Sequence, residues 1–119
     1  MSTDVVALAR DGFDAALRGD LDALGAMLDP DVTWHGGDPS APGACRGSDE
    51  VLRFIRRALD TGWAGRLVDV VDAGSDRVVV VLQPAGGPRR ANVTTFRDDR
   101  VVEIVAYESP GQALAAAGL

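Results

Sequence analysis

His35 is the only histidine in the chain. Its ordinary pKa lies near neutrality, so it could serve as a general base; the alternative is a histidine at a rim or interface. Asp38 follows in the run Gly36-Gly37-Asp38-Pro39. A carboxylate there could abstract a proton if partial desolvation raised its pKa. It could equally serve the turn before Pro39. Cys45 is the only cysteine, and no second histidine exists to activate it as a nucleophile; a lone cysteine otherwise packs as a small apolar residue. Arg46 either reaches the same region or pairs with Asp49. Arg90, Asn92, Thr94 and Phe96 alternate with Ala91, Val93 and Thr95, so on a strand the first set shares one face. Polar groups buried without partners cost roughly 1–3 kcal/mol each. That row therefore points to solvent, a wet cavity or a ligand. Glu108 has the parity of Ile104 and Ala106. No group of residues has metal-ligand spacing, and no glycine-rich loop follows a strand in the dinucleotide or P-loop pattern. Neither metal nor cofactor is expected.

These residues need elements to hold them. Arg66–Ala73, Arg77–Pro84, Arg89–Arg97 and Arg100–Glu108 read as strands. The turns between them are Gly74-Ser75-Asp76, Ala85–Pro88 and Asp98-Asp99. Upstream, Thr3 or Asp4 caps a helix to Arg18 with Val5, Leu8, Ala9, Phe13, Ala16 and Leu17 on one face. Gly19 ends it and Asp20 caps Leu21–Leu28. Asp29-Pro30-Asp31 reads as a turn and Val32–His35 as a short strand. Gly36–Gly47, rich in Gly and Pro, reads as loop. Ser48 caps a third helix to Asp60, with a buried stripe of Val51, Leu52, Phe54, Ile55, Ala58 and Leu59. Ser109-Pro110-Gly111-Gln112 opens a short terminal helix, Gln112–Ala117.

At 119 residues the chain is long enough for one domain, residues 1–119, with its own core. A net charge of −6 disfavours nucleic acid as a partner. There is no apolar run of membrane-spanning length. Met1–Arg10 lacks the pattern of a secretory leader, and the lone cysteine suits a reducing compartment, so a cytoplasmic location is expected. All 12 basic residues are arginine, a hint of a GC-rich bacterial genome. Val78–Leu82 is apolar at every position, as in strands buried on both faces. Helices from this chain are expected to cover one face only, so the other is expected to meet a second copy in a homodimer.

The order helix, helix, short strand, helix, then a run of strands resembles the nuclear-transport-factor-2-like (NTF2-like) superfamily, and within it the SnoaL-like branch. Gly19-Asp20-Leu21-Asp22-Ala23-Leu24, Leu28–Trp34, Arg46-Gly47, Thr95-Phe96-Arg97 and Arg100-Val101-Val102-Glu103-Ile104 carry the likeness. The resemblance implies an α+β cone: three N-terminal helices packed on a strongly curved antiparallel sheet that encloses a mostly apolar pocket. It places Trp34, Phe13, Phe54, Asn92, Thr94 and Phe96 at the pocket, with Cys45 and Arg90 near its entrance and His35 facing away. Glu108 falls on the cavity side; Glu103 and Tyr107 face the outer side, where dimers of the family form. The ketosteroid isomerases in the superfamily use a Tyr and a carboxylic acid as donors and an Asp as base. This chain has Phe13, Thr94 and Gly36 there, so standard ketosteroid isomerisation is not expected. Three readings follow. One is a cofactor-independent isomerase, cyclase or dehydratase acting on a small apolar carbonyl compound, with Asp38 or Glu108 as base. The second is a binding module with no activity. The third is an interaction domain working through the outer sheet face.

Overall fold

The computed structural model describes residues 4–36 and 45–119. Helix α1, Val5–Leu17, starts where the Asp4 carboxylate accepts from the Ala7 N–H at 3.2 Å. Helix α2, Leu21–Met27, is capped in the same way by Asp20 and Ala23 at 3.1 Å. Strand β1, Leu28–Gly36, and the short β2, Cys45–Arg46, precede helix α3, Ser48–Asp60. Strands β3 (Gly65–Gly74), β4 (Arg77–Pro84), β5 (Arg90–Arg97) and β6 (Arg100–Tyr107) follow, then helix α4, Pro110–Ala116. The fold is α+β, but only two helices come first; the third enters after two strands.

The strands form one sheet in the order β2-β1-β6-β5-β4-β3. It is open, with β2 and β3 at its edges. It is also mixed: β1 runs parallel to β6, and the other neighbours are antiparallel. No hairpin joins β1 to β6, so nothing forces them to oppose. Register shifts interrupt the β1–β6, β3–β4 and β5–β6 ladders. Each such irregularity bends a strand and adds twist, which is how this sheet curves. Two of them carry their own compensation. The Asp69 carboxylate takes the Val70 N–H and the Asp72 carboxylate takes the Gly74 N–H, both at 2.8 Å.

Asp29-Pro30-Asp31, expected as a turn, lies within β1. The expectation had a physical basis, because the Asp31 N–H bonds the Asp29 side chain at 2.9 Å. The segment is the bulged stretch between Leu28 and Thr33, where a proline without an N–H is tolerated. Helix α3 is capped by Gly47, not Ser48, and without a side-chain bond. Gly47 takes a φ of 87° and donates to the Val32 carbonyl at 2.7 Å, so anchoring to β1 sets where the helix begins.

Both faces of β4 are buried within the single chain. Val78 and Val80 join the inner core with Val32, Val51, Phe96 and Ile104, under α1 and α3. Val79 and Val81 face the other way and meet Ala91, Val93, Ala113 and Ala117. Helix α4 supplies Ala113, and its C-cap is Ala117. The expectation that this chain's helices could cover only one face is thus corrected: α4 folds back across the outer one. Ser109 makes that return possible, its hydroxyl accepting from the Gln112 N–H at 3.3 Å with Pro110 at the first helical position.

Candidate functional site

Between the concave face of the sheet and helices α1–α3 lies a cavity of about 350 Å³. Its helical wall is made by residues such as Leu8, Phe13, Met27, Ile55 and Leu59. Its sheet wall includes Trp34, Val80, Leu82, Phe96, Ile104 and Ala106. Trp34 and Phe54 pack with ring centroids 5.1 Å apart at 60°, the tilted geometry that aromatic pairs prefer. Leu17, Phe54 and Trp63 also line the cavity, yet are 40%, 43% and 37% exposed. They form an apolar rim.

One polar row crosses this lining. Arg90, Asn92 and Thr94 point inward from β5, and their exposure falls along the strand. Arg90 is exposed, Asn92 half-buried and Thr94 buried, with Phe96 deeper still. The strand therefore runs from the mouth to the floor. The Thr94 hydroxyl donates to the Asn92 side-chain carbonyl at 2.6 Å. That leaves the two N–H donors of the Asn92 amide without a partner among the described residues, in a setting where an acceptor would be welcome.

Phe13, Trp34, Phe54, Arg90, Asn92, Thr94 and Phe96 all lie on the cavity. Cys45 does not: it sits opposite Trp34 in the β1–β2 ladder and packs at the edge of the inner core. Desolvation and the nearby Glu50 carboxylate raise its thiol pKa, against an opposing pull from Arg57. The thiol form dominates at neutral pH, the opposite of what a nucleophile needs. Glu108 is exposed beyond the end of β6 and is absent from the lining, since the strand stops at Tyr107. Asp38 lies outside the described residues. His35 is buried on the convex face, its Nε2 3.7 Å from a Glu103 carboxylate oxygen and its Nδ1 without a hydrogen-bond partner among the described residues. It cannot reach the cavity from there.

Trp63 and Tyr107 also line the cavity and escaped sequence reasoning. A signal for Trp63 existed. Gly62, at φ 89°, donates to the Leu59 carbonyl at 3.1 Å, and the Trp63 N–H to that of Ala58 at 2.9 Å. This is the Schellman pattern, in which the residue after the glycine folds its side chain back on the helix. Gly65 makes room for the ring: a Cβ there would stand 3.0 Å from the indole. Tyr107, expected on the outer side, belongs to the outer cluster but also reaches the cavity from the end of β6.

Solved structures share this architecture. An NTF2-like protein from Burkholderia thailandensis is 25% identical, with a TM-score of 0.73 and 99% of each chain covered. A SnoaL-like protein of unknown function from the same species is 22% identical, with a TM-score of 0.75, covering 92% of this chain and 98% of that one. A proposed polyketide cyclase from Sinorhizobium meliloti is 21% identical, with a TM-score of 0.67, covering 88% and 94%. Among curated proteins no sequence match is found. The model of the SnoaL-like domain family matches residues 9–105, nearly the whole cone from α1 to β6. The chain belongs to the SnoaL-like domain family.

Proposed function

We propose that the protein binds a small, mainly apolar molecule in the cavity and releases it unchanged. The observation that carries this reading is the lining. Among the described residues it is aromatic and aliphatic, with polar side chains only at Arg90, Asn92, Thr94 and Tyr107 besides the two indoles. The volume falls at the lower end of what small-molecule sites occupy. A carbonyl or hydroxyl oxygen on the guest would accept from the Asn92 amide and fix its orientation. Trp34 and Trp63, the only tryptophans, both line the cavity, so their fluorescence reports occupancy. Titration with the neutral probe N-phenyl-1-naphthylamine is expected to quench them with a saturable, one-to-one isotherm. Ala106→Phe, which grows a ring into the open space, is expected to weaken binding by about tenfold or more, about 1.4 kcal/mol. An isotherm that Ala106→Phe leaves unchanged rules this reading out.

A second reading, proton-transfer catalysis on a carbonyl compound, is favoured by the likeness to the proposed polyketide cyclase. The Asn92 amide would hold the developing enolate oxygen and Asp38 would take the proton. Its test is hydrogen–deuterium exchange at the α-carbon of 2-tetralone in D₂O, followed by NMR. Catalysed exchange that disappears in Asp38→Asn supports an enzyme; exchange at the buffer rate supports a binder.

A further inference from the structure

We infer that the natural guest is an apolar carboxylate, seated with its hydrocarbon body in the cavity and its charged end at the mouth against Arg90. This deepens the binding reading above and rests on it. Arg90 is the only charged side chain among the described lining residues. It is exposed, while the row beyond it sinks into the interior. Its neighbour Arg89 has different work. The Arg89 Nε–H donates to the Gln83 side-chain oxygen at 3.3 Å, and the Gln83 amide donates to the Gly87 carbonyl at 2.6 Å and to the Pro84 carbonyl at 3.2 Å. That network ties down the β4–β5 turn and so fixes the start of β5. Arg90, one residue on and facing the cavity, has no hydrogen-bond or ion-pair partner among the described residues. Glu108 lies one step past the Ala91–Tyr107 pair on the adjacent strand, yet forms no ion pair with it.

A guanidinium fork at the lip of an apolar cavity matches a single planar carboxylate. A phosphate dianion would call for more donors than one arginine supplies. The position also suits the energetics. A carboxylate carried to the depth of Thr94 would lose its hydration, whereas at Arg90 it keeps water on one side and a cation on the other. The apolar rim of Leu17, Phe54 and Trp63 then receives the segment next to the charge.

The test is a matched pair, 1-naphthylacetate and its neutral amide 1-naphthylacetamide, titrated by calorimetry. The acid is expected to bind about 1.5-fold to fivefold more tightly at low salt, the range of a solvent-exposed charge pair. In Arg90→Gln the two are expected to bind alike, and 0.5 M NaCl is expected to shrink the native preference, because salt screens an exposed pair. Circular dichroism of Arg90→Gln checks that the fold is kept. If the amide binds the native protein as tightly as the acid, or if the acid's preference survives in Arg90→Gln, the carboxylate assignment fails while the cavity reading stands. If neither ligand binds, both fail.

Discussion

The Thr94–Asn92 pair separates two meanings of a buried hydrogen bond. Removing one partner leaves the other desolvated and empty-handed; removing both with apolar groups of similar shape costs little. Thr94→Val is therefore expected to lower stability by about 1–2 kcal/mol, and the double variant Asn92→Leu/Thr94→Val by less than that. Urea denaturation decides it, and a double variant costing the sum of both singles contradicts the account. Cys45 gives a pH prediction. Its thiol pKa is raised by burial and by Glu50, so the rate of alkylation by iodoacetamide should reach half its maximum at a higher pH than for an ordinary free thiol, whose midpoint lies near about pH 8.5. A plateau near neutral pH would contradict that environment. At this scale the sequence was partly legible. Strict alternation in Arg90–Phe96 put three polar groups on one face, and the structure has them on the cavity wall. Trp63 was missed because its place depends on a backbone motif at a helix end, not on periodicity.

Helix α3 shows why amphipathic spacing and burial are different properties. Its apolar stripe was expected to be buried, yet only Val51 is, and Phe54 stands 43% exposed. The face turns inward as the spacing says; what it meets there is open volume. Periodicity reports direction, not what fills the space. The hairpins were legible for a simpler reason. Ser75-Asp76 and Asp98-Asp99 all adopt positive φ, the demand of two-residue turns that Asp and its relatives tolerate. The outer cover by α4 was not legible, because seven residues with a single large apolar side chain, Leu114, carry little pattern. Ala113, at 0% exposure, holds that contact. Ala113→Asp would bury an unpaired carboxylate and is expected to cost about 3 kcal/mol or more. A urea midpoint matching the native protein would mean α4 does not dock in solution.

For the whole molecule, the curved sheet divides the apolar residues into two sets with different duties. The convex set is packed by α4; the concave set is left partly unpacked around the cavity, the space in which we propose a guest binds. No described helix is long and apolar enough to cross a membrane. We propose that two copies pair through the convex side beside α4, where Val68, Val71 and Leu114 remain only half-buried. Light scattering at micromolar protein should then give twice the chain mass of 12.4 kDa, and a monomer would dismiss the pairing without touching the cavity. The most direct measurement on the cavity itself is isotope-filtered NMR of the methyl-labelled protein with unlabelled 1-naphthylacetamide. Cross-relaxation is expected from the ligand to Leu8, Ile55, Val80 and Ile104, and none to Val79 or Val93. Contacts confined to the convex valines, or no contacts to the concave methyls at saturating ligand, would contradict it.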